Sequence, residues 1–95
     1  MSTLLPGYKL NALVTQYGES WEHFDAKAVL FYDLRQAQKQ VVTEASFKTG
    51  GRADVINLTD QEIIEVLVTE TLEEAKLKVQ KYPSNFTVRF VKVQK

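Results

Sequence analysis

The sequence contains no cysteine, and this absence excludes several kinds of chemistry at once. A chain without cysteine forms no disulfide, no thiolate zinc site and no thiol nucleophile. With a single histidine, His23, a zinc site made of the usual nitrogen and sulfur ligands is also disfavoured. The lack of cysteine is typical of a reducing compartment, so we expect a cytoplasmic location.

Long apolar runs and an excess of positive charge are missing as well. No run of about 18 apolar residues is present, and no basic region precedes a long apolar stretch, so we expect neither a membrane span nor a signal peptide. Twelve Lys and Arg balance twelve Asp and Glu, which makes the formal net charge zero. The chain is therefore not a polybasic nucleic-acid binder, and any contact with nucleic acid must be local.

What is present suits one small folded domain. The 95 residues are 44% apolar, which is enough for one core and too little for two. We expect a single domain over residues 1–95, with 1–18 as an N-terminal extension and 19–93 as the core. Residues 8–17 carry apolar side chains at i, i+3, i+4 and i+7, which favours a short helix, with a strand as the alternative.

The remaining elements follow from periodicity, β-branched content and capping residues. The pattern predicts a helix over 21–39, strands over 41–47, 52–58 and 63–68, a second helix after a Thr71–Glu74 capping box, and a strand over 86–93. The third strand is apolar on both faces, so it should be central and covered on both sides. Two hairpins followed by a helical crossover predict an α/β (α+β) fold: a mixed sheet of about four strands with helices packed on it, in the order α-β-β-β-α-β.

Three acidic residues stand in apolar strands, where an unpaired carboxylate costs several kcal/mol. These are Glu44, Asp54 and Glu65, one on each of the first three strands. Carboxylates on consecutive strands can converge at one end of a sheet, and two or three of them are the usual ligands of Mg²⁺ or Mn²⁺. The alternative is structural: Glu44 is exposed, and Asp54 and Glu65 pair with Arg52 or Lys27.

The first helix places His23 and Lys27 on the same stripe as Leu30 and Leu34. Because the leucines face the core, His23 and Lys27 should point towards one end of the sheet. The alternative is that the helix overhangs the sheet there and that both side chains are solvated. The aromatic residues are scattered, with Phe24 and Phe31 on the core stripe, which indicates core packing rather than base stacking.

The order of elements and several of these segments resemble the core of the PD-(D/E)XK nuclease superfamily. The similarity covers residues 19–93 and is carried by Gly51-Arg52-Ala53-Asp54-Val55, Ile63-Ile64-Glu65-Val66-Leu67-Val68-Thr69, His23-x3-Lys27 and Glu44. It points to the competence-protein-like and Holliday-junction-resolvase-like branches. The resemblance implies a restriction-endonuclease-like fold and metal-dependent cleavage of DNA phosphodiesters. Small proteins of this kind occur in archaea and their viruses, which implies an archaeal or viral source.

The resemblance also implies roles for individual residues. Asp54 and Glu65 would bind one or two Mg²⁺ or Mn²⁺ ions, and Glu44 would be a further ligand or would orient a water. Lys27 would complete the catalytic set. His23, Arg52 and Lys48 would contact the substrate. Without metal Asp54 and Glu65 should repel each other, so we expect one of them to have a raised pKa.

One position departs from the superfamily pattern. The family has a lysine two residues after the strand glutamate, and here that residue is Leu67. Either the lysine has moved, with Lys27 as first candidate and Lys76 or Lys48 as others, or the site is degenerate. In the second case the domain would be a non-catalytic module for protein interaction or dimerisation, and a homodimer could pair through the strand at 86–93.

Overall fold

The computed structural model describes residues 3–93, and its secondary structure follows the predicted order. The elements are α1 (Trp21–Gln36), β1 (Val41–Ser46), β2 (Arg52–Asn57), β3 (Glu62–Leu67), α2 (Leu72–Val79) and β4 (Thr87–Lys92). Ser20 caps α1 by accepting the His23 N–H, and the Thr71–Glu74 capping box opens α2, both as predicted. Helix α1 ends before residue 39 because Gln38 takes a left-handed conformation with φ of 63°.

The four strands form one mixed sheet in the order β1-β2-β3-β4. Strands β1 and β2 pair antiparallel, as do β2 and β3, whereas β3 and β4 run parallel. A parallel pair needs a crossover connection, which α2 provides. Strand β3 lies inside the sheet, and its residues from Ile63 to Leu67 are all buried, which confirms the prediction of a central strand.

The core has two layers, one on each face of the sheet. On one face, Leu30, Phe31 and Leu34 of α1 pack against a cluster of buried strand residues: Val41, Val55 and Ile64. On the other face, Val79 and Tyr82 at the end of α2 pack with a second cluster that includes Val42, Ile56 and Ile63. Neighbouring residues of a strand point to opposite faces, so the sheet is covered on both sides.

The prediction of a helix over 8–17 is wrong. Residues 3–14 instead run along the outer edge of β1, with isolated antiparallel bridges from Leu4 to Phe47 and from Leu10 to Val42. The strand alternative is realised only at Leu10, because Asn11 turns the chain with a φ of 56°. The physical reason is that the unpaired backbone groups of an edge strand need partners. The bridge from Leu4, which is buried in the core, makes this segment part of the fold.

Neither helix of the described residues is long and apolar enough to cross a lipid bilayer. Helix α1 has 16 residues and α2 has eight.

We predict that Asn11→Ala lowers the free energy of unfolding by about 1–2 kcal/mol. The Asn11 Oδ1 accepts the Val41 N–H at 2.8 Å, and its left-handed backbone is one that asparagine tolerates better than alanine. Urea unfolding measures the change. Asn11→Asp, which keeps the acceptor and the backbone tolerance, should stay within about 0.5 kcal/mol of wild type. Equal stability of Asn11→Ala and wild type would show that the segment does not hold the edge.

Candidate metal centre

The strand register places the three predicted acids in one row across the sheet. The pairings that flank them are Thr43 with Val55, Ala45 with Ala53, and Val55 with Ile64. These pairings put Glu44 opposite Asp54 and Asp54 opposite Glu65. The row therefore arises from antiparallel pairing of three consecutive strands, as expected from the sequence.

At this row, carboxylates take over hydrogen bonds that a strand ladder would make. The ladder between β2 and β3 ends at Val55 and Ile64. Beyond that point the Asp54 N–H donates to Glu65 Oε2 at 2.9 Å, and the Val66 N–H donates to Asp54 Oδ2 at 2.8 Å. Each carboxylate thus accepts a charge-assisted bond from the backbone of the neighbouring strand, which fixes both side chains between the strands.

Glu65 is the most deeply buried acid of the row, with 4% of its surface exposed. The Tyr82 hydroxyl lies 2.5 Å from Glu65 Oε1 and 2.9 Å from the Arg52 carbonyl oxygen. Burial, followed by the charge of Asp54, raises the pKa of Glu65 to about 7. This confirms the expectation that one member of the Asp54–Glu65 pair has a raised pKa. Burial and the nearby Glu65 also raise the pKa of Tyr82.

Lys27 is completely buried, and it reaches the acids from α1. Its Nζ donates to the Val14 carbonyl oxygen at 2.6 Å and lies 2.8 Å from Glu19 Oε2 and 3.2 Å from Glu44 Oε2. The alternative of a solvated Lys27 is therefore wrong. Leu67 is also buried, with 3% of its surface exposed, so its side chain contributes packing.

His23 lies between two carboxylates. Its Nδ1 is hydrogen-bonded to Glu19, and its Nε2 lies 3.3 Å from Asp54 Oδ2. The hydrogen bond to Asp54 is the main cause that raises the pKa of His23 to about 9, against the opposing effect of burial. At neutral pH the imidazole is therefore protonated, and His23 acts as a positive bridge between Asp54 and Glu19.

Glu19 is one of the site residues that the sequence analysis did not predict; others are Lys78, Lys81 and Tyr82. Burial opposes the ionisation of Glu19, but hydrogen bonds from Lys27 and His23 outweigh burial and lower its pKa. The signal was present in the spacing, since Glu19-x3-His23-x3-Lys27 continues one stripe of α1 by a turn before its cap. Because Glu19 precedes α1, the periodicity of the helix does not include it.

Glu44 and Arg52 complete the acidic row at its β1 end. Burial, opposed chiefly by Lys27, raises the pKa of Glu44, whose backbone takes a left-handed φ of 50°. Arg52 Nη2 lies 3.4 Å from Glu44 Oε1, and about half of the Arg52 side chain is exposed. The structural alternative predicts that Asp54 and Glu65 pair with Arg52 or Lys27 and that Glu44 is exposed. Instead, both cations pair with Glu44, whose side chain is buried.

The acids open into a polar cleft made of two adjacent cavities of about 350 and 270 Å³. Both are lined by Gln16, Asp54 and Lys78. The first also contains Glu19 and His23, and the second contains Glu44, Glu65, Arg52, Lys81 and Tyr82. Among residues 3–93, the lysine and arginine side chains that line the two cavities are Arg52, Lys78 and Lys81.

Lys48 and Lys76 do not take part in this cleft. Lys48 is exposed in the turn between β1 and β2, and Lys76 is exposed on α2; neither lines the two cavities. Lys78 and Lys81 were not among the predicted site residues, although they lie close to Lys76 in the sequence, on and just after α2. Only the packing of α2 shows which of these lysines face the acids.

Within residues 3–93, the ligand atoms close enough to share one ion belong to a group that contains Glu44 but neither Asp54 nor Glu65. Glu19, His23 and Glu44 each offer a ligand atom, and these atoms all lie within 4.8 Å of one another. Glu44, Asp54 and Glu65 line one cavity and offer only oxygen ligands, the type that Mg²⁺ and Mn²⁺ prefer. In the protein alone, Lys27 and protonated His23 balance these acids, and His23 would have to lose a proton before it could bind a metal ion.

No protein-family model matches this chain, and neither does any curated protein or solved structure. The similarity to the PD-(D/E)XK superfamily therefore stays a prediction. It rests on the residues quoted above and on the order of elements, which a small mixed sheet with two helices can share with other folds.

We predict that Lys27→Met lowers the free energy of unfolding by about 3–5 kcal/mol, because it leaves Glu19 and Glu44 buried without their shared cation. The methionine keeps the packing of the lysine stem, so the loss measures the charge. Lys39→Met is the matched control, since Lys39 pairs with Asp60 at the surface and should change stability by less than about 1 kcal/mol. A loss below about 1 kcal/mol for Lys27→Met would contradict the prediction.

We predict that the free energy of unfolding falls as pH rises. Glu65→Gln should remove the part of this fall that is due to the titration of Glu65. His23 and Glu65 both have a higher pKa in the folded protein than the ordinary 6.5 and 4.5. Their stabilising contributions are therefore complete below those ordinary values and are lost as pH rises to about 9 for His23 and about 7 for Glu65. Glutamine can still accept from the Asp54 N–H and donate to Tyr82, so the network survives.

Urea unfolding of both proteins from about pH 5 to about pH 9 provides the measurement. Glu65→Gln should be more stable than wild type above neutrality, by about 1–3 kcal/mol, and should keep the fall due to His23. Glu73→Gln, in the exposed first turn of α2, should follow the wild-type profile. If Glu65→Gln also follows it, Glu65 does not titrate as described.

Proposed function

We propose that this protein is a divalent-metal-dependent nuclease that acts on DNA. The observation that carries the proposal is the row of Glu44, Asp54 and Glu65, which stand opposite one another on three strands and line a single cavity. Carboxylates are seldom placed this way for stability, because burial opposes the ionisation of both Glu44 and Glu65. A site that pays this cost is suited to binding a cation.

Asp54 and Glu65 would hold Mg²⁺ or Mn²⁺, with Glu44 as a further oxygen ligand. When bound, the metal supplies a water of lowered pKa and offsets negative charge on the phosphodiester. Arg52, Lys78 and Lys81, which border the acids, would bind the phosphate groups of the DNA on either side. Protonated His23, 3.3 Å from Asp54, would orient that carboxylate and lie within reach of the substrate.

Lys27 is suited to a positioning role in this reaction. All three acceptors of its ammonium are protein oxygens, and the side chain is fully buried, so it acts on the site through Glu44. It would keep Glu44 ionised and correctly placed next to Asp54. This is how a helix lysine would compensate for Leu67 on the strand, where the superfamily has its lysine.

A non-catalytic module is the second candidate, and the position of β4 favours it. In the described part of the chain, β4 is the outermost strand of the sheet, whereas residues 3–14 cover the opposite edge at β1. A second copy could pair with β4 and extend the sheet. Leu67 supports this reading as well. For either candidate we retain the expectation of a cytoplasmic protein of archaeal or viral origin.

We predict that the protein cleaves DNA in the presence of Mg²⁺ or Mn²⁺ and that Asp54→Asn and Glu65→Gln each reduce the rate by about 100-fold or more. Linear, nicked and branched DNA are the substrates, and product lengths on denaturing gels are the measurement. Asp33→Asn is the matched control, because Asp33 is exposed on α1 and does not line the cleft, so this change should leave the rate unchanged.

Two outcomes would contradict this proposal in different ways. Cleavage that persists in both variants would show that the acidic row is not the active site. If wild type neither cleaves DNA nor binds Mg²⁺ or Mn²⁺ by calorimetry, the protein is not a nuclease. Sedimentation of the wild-type protein would then test the module, which requires a dimer.

A further inference from the structure

Trp21 is an exposed aromatic residue at the start of α1, beside the cleft. It is 77% exposed, so the interpretation that the aromatic residues serve core packing is wrong for Trp21, as it is for the exposed Tyr8, Tyr17 and Tyr32. The Trp21 ring meets Phe24 edge to face, with centroids 6.3 Å apart and an angle of 84° between the planes. The buried Lys27 Nζ lies 5.8 Å from the Phe24 centroid, which ties the aromatic pair to the charged site.

The aromatic pair lines a groove that shares part of its lining with the acidic cleft. The groove has a volume of about 220 Å³ and is lined by Thr15, Gln16, Glu19, Ser20, Trp21 and Phe24. Gln16, Glu19 and Ser20 also line the first cavity of the cleft, together with Asp54 and Lys78. A ligand with one group in the cleft would therefore reach the groove with its next group.

The charges around the groove select which part of a nucleotide fits there. Glu22 and Asp25 are exposed on the same helix as Trp21, so a phosphate near Trp21 would be repelled. Arg52 and Lys78 lie at the cleft, paired with Glu44 and Glu70, and with a cation bound to the acids they would attract a phosphate there. The groove beside Trp21 can therefore accept an uncharged planar group. In DNA, the planar group next to a phosphodiester is a nucleobase.

We infer that Trp21 and Phe24 form a stacking surface for an unpaired base adjacent to the bound phosphodiester, and that the protein prefers DNA with single-stranded segments over intact duplex. In a duplex each base is already stacked and paired, and removing it costs a few kcal/mol. An aromatic surface next to the cleft stabilises a base only where that cost is absent. This inference rests on the proposed nuclease function, whose substrate class it names.

Because Trp21 is the single tryptophan of the chain, its fluorescence reports directly on stacking. The probes are a dye-labelled oligothymidylate of about 12 nucleotides, an abasic strand of the same length, and a duplex of the same length. Ca²⁺ replaces Mg²⁺ in each titration, so that a hard cation is present during binding. We expect the oligothymidylate to quench Trp21 and to bind about 5- to 20-fold more tightly than the other two.

Variants of exposed aromatic residues on α1 give the matched comparison. Trp21→Ala should weaken oligothymidylate binding by about 5- to 20-fold without changing binding of the abasic strand, and Trp21→Phe should retain most of the affinity. Tyr32→Ala is the control, since Tyr32 is exposed on the same helix and does not line the groove. Circular dichroism confirms that each variant is folded.

The outcomes separate this inference from the proposed function. If the oligothymidylate binds by anisotropy but Trp21→Ala binds it equally well, or if the abasic strand binds as tightly, the stacking surface is refuted while the nuclease proposal stands. If no DNA binds to the wild-type protein, both are refuted. If the oligothymidylate quenches Trp21 in the wild-type protein and Trp21→Ala selectively loses affinity for it, the base site is established, even when no cleavage is seen.

Discussion

The ammonium group of Lys27, buried between Glu19, Glu44 and the Val14 carbonyl, is the interaction on which the site depends. Its partners come from three parts of the chain: the N-terminal segment, the residue before the cap of α1, and strand β1. One buried cation thus joins the extension, the helix and the sheet at the end where the acids lie. Without it, two carboxylates would be left in a desolvated space with only partial compensation.

The same packing that hides Lys27 explains how a chain of zero net charge can hold a strongly charged centre. Glu19, Glu44, Asp54 and Glu65 face Lys27, protonated His23 and Arg52 within one end of the sheet. Every fully buried side-chain nitrogen and oxygen in residues 3–93 has a hydrogen-bond partner, so the cluster is satisfied although it is costly. The local concentration of charge, not its total, therefore sets the electrostatic field at this end of the sheet.

The N-terminal segment is a component of the site and not merely an extension to the core. Residues 3–14 cover the edge of β1, and the following residues bring Gln16 into both cavities of the cleft and into the aromatic groove. The segment therefore has two tasks, to satisfy an edge strand and to form one wall of the cleft. Both follow from a single path along β1.

The sequence by itself determined the strands, the two helix caps and the presence of one acid on each of three strands, because all of these depend on local chemistry. These features depend on residues close together in the chain: β-branched runs, Ser20, and the Thr71–Glu74 box. From them the order of elements and the row of acids could be predicted. The path of residues 8–17 could not, because the apolar spacing of a helix is also compatible with a segment that lies along a sheet edge.

Only the tertiary structure decided which charges meet. The partnership of Lys27 with Val14 and Glu19, the contact of Tyr82 with Glu65 and the exposure of Trp21 all join residues from different elements, or depend on how α1 sits on the sheet. A helical stripe shows which residues share a face, but it does not show what lies opposite. The identity of that opposite surface is set by packing across the whole domain, and this is why the pairing of the acids could not be predicted from the sequence.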